Sequence, residues 1–89
     1  MVYRVSSERV LFRYVDGETV LINTKTSYYY SLNRVGTFVW NMLTEKGRTP
    51  AELLRAIQKE YSPPKDAAAR DLENLLHDLK KEGLVIPEE

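Results

Sequence analysis

The residue types that most often carry catalysis or bind metals are scarce in this chain. It has no cysteine and one histidine, His77, which excludes a thiol nucleophile, a thiolate zinc site and a two-histidine metal site within one chain. Asp78 follows His77 directly, but successive residues on a helix do not face each other. No serine lies in a nucleophile elbow and no glycine-rich phosphate loop is present. We therefore predict a chain that is not an enzyme and holds no cofactor.

Length and charge restrict the remaining function classes. The chain has 89 residues, with 13 basic and 13 acidic side chains, so it has no net charge that would attract DNA or an anionic membrane. Its longest apolar runs are three residues, and a membrane span needs about 20. The first residues also lack the apolar stretch of a signal peptide. We predict a single cytoplasmic domain over 1–89 that works by binding.

The first third of the chain has the pattern of β-strands. Segments 9–14 and 18–23 are rich in β-branched and aromatic residues, and Asp16-Gly17 between them is a strong hairpin signal. A polar turn at 23–26 leads into a third strand over 27–32. Because the connections are short, we predict a three-stranded antiparallel meander.

From Asn33 onward the apolar residues recur with a helical period. Asn33 is placed to cap a first helix, which Gly47 would end in the left-handed conformation. Thr49-Pro-Ala-Glu52 forms a capping box for a second helix that ends near Tyr61. A third helix runs from about 65 to 82, and 84–86 is a strand stub or a packing tail. The expected fold is α+β and winged-helix-like, with the meander followed by three helices.

The third predicted strand has an unusual edge. It carries no charge from Thr26 to Asn33 and contains three consecutive tyrosines. Because strand side chains alternate, we expect Tyr30 and Leu32 to share one face and to point toward the helices. An uncharged aromatic edge either accepts a partner strand or is covered by the protein itself. The segment 84–86 and the N-terminal arm are the candidates for such a cover.

The third helix has an apolar face wide enough for two rows of side chains. We expect Ala69, Leu72 and Leu76 to form the wall of a groove beside Tyr30, while Leu75 and Leu79 pack inward. The alternative is that both rows are ordinary core.

A winged-helix outline also suggests a DNA-binding regulator, which is the alternative function. The third helix, however, carries four basic and five acidic residues. Interspersed carboxylates repel the phosphate backbone that supplies most DNA affinity. We therefore predict that the chain does not bind nucleic acid.

An ordered set of motifs extends along most of the chain. Tyr29-Tyr-Ser-Leu-Asn33 leads into a helix that carries Trp40, and Thr49-Pro-Ala-Glu-Leu53 and Leu79-Lys-Lys-Glu-Gly-Leu84 follow. Together these motifs resemble the PqqD-like family, and the likeness covers roughly residues 8–86. A separate chain of this length looks most like the discrete recognition proteins of lasso-peptide gene clusters.

The resemblance implies a recognition element for ribosomally made, later modified peptides. Such proteins bind the leader segment of a precursor peptide as a strand added to the third strand, against the third helix. They present it to a leader peptidase, with an ATP-dependent cyclase as a further partner. We expect Val20 or Ile22 to line the pockets for leader side chains together with Tyr30. The full set of candidate peptide-binding residues is Val20, Ile22, Tyr28, Tyr29, Tyr30, Ser31, Leu32, Ala69, Arg70, Leu72, Glu73, Leu76 and Lys80.

Overall fold

Two small antiparallel sheets and three helices make up the fold. The computed structural model describes residues 1–88. The elements in chain order are β1 (Val2–Val5), β2 (Val10–Val15), β3 (Glu18–Asn23), β4 (Tyr28–Leu32), α1 (Arg34–Glu45), α2 (Pro50–Tyr61), α3 (Lys65–Lys81) and β5 (Val85–Glu88). Strands β2, β3 and β4 form a sheet in that order, and β1 pairs with β5. The predicted α+β meander with three helices is confirmed, and the β1–β5 ribbon is added to it. No helix in residues 1–88 is long and apolar enough to cross a membrane.

The two turns of the meander depend on residues with positive φ. Asp16 and Gly17 have φ values of 52° and 81°, as a two-residue hairpin turn of type I′ requires. The β3–β4 turn contains Ser27 at φ 62°. There the Asn23 side-chain oxygen accepts hydrogen bonds from the backbone N–H groups of Lys25 and Thr26. Both turns join neighbouring strands and so fix the register of the sheet.

The predicted start signals of α1 and α2 are confirmed. Asn33 accepts a hydrogen bond from the backbone N–H of Gly36 at 2.9 Å. Thr49 and Glu52 form the reciprocal capping box, in which the backbone N–H of Thr49 donates to the Glu52 carboxylate and lowers the pKa of Glu52. Each cap satisfies N–H groups that a helix start leaves without an internal partner.

Gly47 has a different structural role from the one that the sequence predicted. The residue that follows α1 is Lys46, which is extended at φ −167°, and Gly47 is not among the residues with positive φ. A Cβ on Gly47 would lie 2.5 Å from Cγ1 of Val2 and 3.4 Å from the carbonyl oxygen of Tyr3. The prediction of a left-handed cap is therefore wrong: glycine is needed here because β1 passes too close for a side chain.

The ribbon occupies both segments that were candidates for covering β4. Val5 pairs with Val85 and Val2 with Glu88, while Tyr3 exchanges two backbone hydrogen bonds with Arg48, at 2.8 and 3.0 Å. The ribbon thus lies at the far end of α1 and does not pair with β4. Sequence patterning did not indicate β1, since four residues form a strand only where a partner is supplied by tertiary structure.

The core lies between the inner face of the meander and the helices. Trp40, Leu21 and Leu79 are each fully buried at its centre. Thr19 of β3 donates a buried hydrogen bond of 2.8 Å to Thr37 of α1, so these two hydroxyls satisfy each other. This hydrogen bond ties the central strand of the meander to α1.

Candidate functional site

The outer edge of β4 is unpaired within residues 1–88. The β2–β3 hairpin determines which residues of β4 direct their backbone groups toward β3. Its two-residue turn makes Val15 and Glu18 a hydrogen-bonded pair, and from there hydrogen-bonded and non-hydrogen-bonded pairs alternate along the strands. The backbone N–H of Thr24 also donates to the carbonyl of Arg9 at 2.7 Å. This bond fits the same alternation, because Arg9 and Thr24 lie an even number of positions from Val15 and Glu18. Residues 18, 20 and 22 of β3 therefore bond to β2.

The remaining β3 residues, 19, 21 and 23, direct their backbone groups toward β4. Leu21 pairs with Tyr30 in this register, so 28, 30 and 32 bond inward to β3. Tyr29 and Ser31 consequently point their N–H and C=O groups outward, away from the sheet. The free edge thus presents two donors and two acceptors in the spacing that an added strand requires.

The side chains of β4 alternate between the two faces of the sheet. Tyr30 is partly buried and Leu32 is buried on the helical side, whereas Tyr29 is 67% exposed on the other face. This confirms the predicted orientation of Tyr30 toward the helices. Ile22 pairs with Tyr29 and Val20 with Ser31, so both lie on the outer face, and the prediction that they line a pocket with Tyr30 is wrong. Their neighbours Thr19 and Leu21 point inward because strand side chains alternate.

A cavity of about 430 Å³ opens between β4 and α3, and we call it the β4–α3 cavity. Tyr30, Ser31 and Leu32 line it on the strand side. The core side is closed by Val39 and Ile57, which are buried. The side of α3 contributes Ala67, Ala68, Asp71, Leu72 and Leu75, and the rest of the lining is Asn33, Val35, Gly36, Tyr61, Pro63 and Pro64. This is an apolar pocket with a few polar groups at its mouth, beside an unpaired strand edge.

The two rows of α3 are arranged differently from the prediction. Leu75 is the partly buried residue that lines the β4–α3 cavity, and Leu76 is 3% exposed. Ala69, Glu73 and Leu76 line a second cavity of about 320 Å³ on the opposite flank, with Tyr3, Pro50, Ala51 and Leu54. The expected wall beside Tyr30 is therefore wrong for Ala69 and Leu76. Leu79 packs inward as predicted, at 0% exposure.

Leu72 lines both cavities and so remains a candidate for the groove wall. Arg70 and Lys80 are exposed and line neither cavity. Which row of an apolar helix faces which neighbour depends on the rotation of the helix about its axis, and periodicity alone does not specify that rotation. No sequence signal therefore identified Leu75 or Ala67 as cavity residues.

One side-chain hydrogen bond joins β4 to α3. The Tyr30 hydroxyl donates to Oδ2 of Asp78 at 3.1 Å. Burial raises the pKa of Tyr30 above its ordinary value, and the hydrogen bond to the Asp78 carboxylate raises it further. The ring of Tyr28 lies 6.3 Å from that of Tyr30. Tyr30 therefore stays protonated at neutral pH and acts as a donor to α3.

No group of three or more potential metal-ligating side chains occurs in the part of the chain that the structure describes. His77 is exposed on α3, as a solvated helix residue would be. The arrangement offers main-chain hydrogen bonds and apolar contact, which are the elements of peptide recognition.

The comparisons with known proteins agree with this architecture. A family model described as coenzyme PQQ synthesis protein D (PqqD) matches residues 18–85. A solved structure described as TbiB1 in complex with the TbiA(beta) leader peptide has a TM-score of 0.83 and 31% identity, and the match covers 97% of this chain and 98% of that one. A comparison with curated proteins found no match.

A lasso peptide synthetase B1 complexed with the leader peptide is similar in fold, with a TM-score of 0.78. Its identity is 24%, and the match covers 96% of this chain and 98% of that one. Both structural neighbours share the meander, the three helices and almost the full length of the chain. Since the family model matches 18–85 and TbiB1 is 31% identical over nearly the whole length, the chain belongs to the PqqD family.

Proposed function

We propose that this chain binds the leader segment of a ribosomally synthesised precursor peptide, which adds as a strand along the outer edge of β4. The observation that carries the proposal is the unpaired edge at Tyr29 and Ser31, directly beside the apolar β4–α3 cavity. The similarity to TbiB1, whose solved structure contains a leader peptide, supports the same assignment.

In this proposal the outer edge of β4 sets the register of the leader, and the β4–α3 cavity selects its sequence. Hydrogen bonds to the backbone of Tyr29 and Ser31 contribute net about 1 kcal/mol each, and they set the register without reading side chains. Sequence specificity comes from the cavity, where an apolar or aromatic leader side chain contacts Leu72 and Leu75. A well-buried anchor of this kind contributes about 1.5–3 kcal/mol.

These gains exceed the cost of ordering a disordered leader. Coupled folding and binding costs about 2–5 kcal/mol of the gross interaction energy. Two or three anchors together with the edge hydrogen bonds give useful affinity and still allow release. The exposed carboxylate of Asp71 lines the β4–α3 cavity, where it can pair at the rim with a basic leader residue for about 0–1 kcal/mol.

The proposal includes presentation of the bound precursor to processing enzymes. With the leader held on β4, the core segment stays free for a leader peptidase and then a cyclase, as in lasso-peptide biosynthesis. The chain itself supplies binding and no chemistry, in keeping with its lack of cysteine and its exposed single histidine.

Peptide titration tests the proposal directly. The probe is a fluorescein-labelled leader peptide from a short precursor gene, to be sought beside the gene for this chain, with the TbiA(beta) leader as a second probe. The control is a scrambled peptide of the same composition. We expect saturable binding of the first probe, much weaker binding of the scrambled peptide, and less than about tenfold loss of affinity between about 50 mM and 500 mM salt, because apolar anchors are not screened.

The same titration with duplex DNA separates this function from a winged-helix regulator. Salt-sensitive DNA binding without peptide binding would overturn the proposal. So would equal affinity for the leader and for its scrambled control.

A further inference from the structure

The space between β4 and α3 is closed at one end and open at the other. At the end near the β3–β4 turn, the side-chain amide of Asn23 donates to the backbone carbonyl of Glu82 at 2.7 Å. The bond from Tyr30 to Asp78 follows along β4. Farther along β4, Leu32 lines the β4–α3 cavity together with Pro64. Before the cavity, α3 is therefore tied to β3 through Asn23 and to β4 through Tyr30.

The closed end is anchored by a residue with several partners. Asn23 is 3% exposed, and its oxygen holds the β3–β4 turn while its amide holds the end of α3. Gly83 follows at φ 72°, and a Cβ there would lie 3.3 Å from that amide nitrogen. The end of α3 is therefore fixed against β3 whether or not Tyr30 makes its bond.

The bond between Tyr30 and Asp78 lies nearer to the cavity. Within residues 1–88 it is the single hydrogen bond from a β4 side chain to α3. Both partners are partly buried, and a hydroxyl that donates to a carboxylate in partial shelter from water makes one of the stronger hydrogen bonds. The Tyr30 ring is also part of the cavity wall. Its hydroxyl therefore links the position of this wall to the position of α3.

We propose that Tyr30 and Asp78 are positioning residues, whose hydrogen bond holds α3 at a fixed distance from β4 so that the cavity is open before the leader arrives. This inference rests on the proposed function and deepens it. A groove whose two walls are already placed spares the leader the cost of ordering them. Without the bond, α3 and the Tyr30 ring sample other separations, and part of the binding energy is used to restore the productive one.

A second tyrosine provides a matched control. The Tyr14 hydroxyl on β2 donates to the side-chain oxygen of Asn41 on α1 at 2.5 Å. This is also a tyrosine bond from the sheet to a helix, but neither partner lines the β4–α3 cavity. Tyr14→Phe and Tyr30→Phe each remove one hydroxyl and one hydrogen bond from the sheet to a helix, and only the second touches the proposed groove.

The experiment compares leader affinity and thermal unfolding across a set of variants, with the labelled leader peptides of the titration above as the probes. We expect Tyr30→Phe and Asp78→Ala each to weaken binding about three- to tenfold, and Tyr14→Phe to change it by less than about twofold. Asp78→Asn keeps a side-chain oxygen that accepts the tyrosine proton, so it should retain most of the affinity. The double variant Tyr30→Phe/Asp78→Ala should be no weaker than either single variant, because both remove one shared contact.

Several outcomes would overturn the inference. Equal binding by Tyr30→Phe and the unaltered chain would leave the bond without a role in recognition. Equal weakening by Asp78→Asn and Asp78→Ala would assign the effect to the carboxylate charge. If the unaltered chain binds no leader, the proposed function fails and the inference fails with it, whereas binding that is insensitive to Tyr30→Phe refutes the inference alone.

Discussion

Leu75 and Leu76 are neighbours in sequence, yet α3 turns them toward different cavities. A helix advances by 100° per residue, so one leucine faces the β4–α3 cavity and the other faces α2 and β1. Leu79 lies between these directions and is completely buried. At the scale of single residues, one apolar face therefore supplies Leu79 to the core and Leu75 to the proposed groove.

Alanine substitutions at the three leucines should separate these two roles. We expect Leu79→Ala to lower the free energy of unfolding by about 2–5 kcal/mol, because it leaves a cavity in the core. Leu76→Ala should destabilise in the same way and leave the affinity of the folded fraction for leader unchanged. Leu75→Ala should cost less stability and weaken leader binding the most. Denaturant unfolding beside peptide titration measures both quantities, and loss of leader affinity in Leu76→Ala alone would place the groove on the other flank of α3.

At the scale of elements, the decisive property of β4 is that its backbone N–H and C=O groups point alternately toward β3 and away from the sheet. Tyr29 and Ser31 point outward, while Tyr30 is paired with Leu21 inside the sheet. The same short strand thus holds the sheet together through alternate residues and offers a binding edge through the others. Because this division concerns the backbone, it is tested by removing N–H groups and not by changing side chains.

Proline at adjacent positions of β4 should have opposite effects. Tyr29→Pro removes an outward N–H and should weaken leader binding with limited loss of stability. Tyr30→Pro removes a hydrogen bond to β3 and should unfold the meander. Tyr29→Ala is the control, since it keeps the N–H while it removes a side chain that is 67% exposed. Circular dichroism melts and leader titration distinguish the three variants, and a folded Tyr29→Pro variant with full affinity would show that the leader binds elsewhere.

At the scale of the whole molecule, the β1–β5 ribbon joins the two chain ends at the far side of α1. It keeps both terminal segments away from β4, and it approaches Gly47 so closely that no side chain fits there. A side chain added at Gly47 should therefore lower stability without affecting peptide binding.

Gly47→Ala should therefore destabilise the fold by about 1–3 kcal/mol through overpacking. The added methyl group meets Cγ1 of Val2, so Val2→Ala in the same chain should restore part of the loss. Leader affinity of the folded protein should not change, because neither residue lines the β4–α3 cavity. The comparison requires melting temperatures of both single variants and the double variant. A Gly47→Ala protein as stable as the unaltered chain would mean that the ribbon shifts at no cost.

Local signals in the sequence predicted a large part of this fold. Asp16-Gly17 specifies a tight hairpin because few other residues adopt positive φ there, and Thr49 with Glu52 specifies a helix start because the two side chains satisfy local N–H groups. The alternation in β4 also placed Tyr30 correctly toward the helices. These features depend on residues a few positions apart, so the sequence contains all the information they need.

The predictions that were wrong share one physical cause, which is their dependence on distant parts of the chain. Val20 and Ile22 were placed on the wrong face, Ala69 and Leu76 on the wrong flank of α3, and Gly47 in the wrong backbone conformation. In each case the answer depends on which distant segment lies opposite, through the register with β4, the rotation of α3 and the approach of β1.

The sequence by itself thus determined the three strands of the meander, the three helices, their order, the scarcity of catalytic groups and the uncharged edge of β4. Tertiary structure decided that the ribbon leaves this edge unpaired, that Tyr29 and Ser31 face outward, and that Leu75 lines the cavity. The reason is the range of the interactions. Turns, caps and periodic faces are set by contacts within a few residues, whereas the groove is formed by segments about 40 residues apart in the chain, whose relative placement results from packing of the whole core.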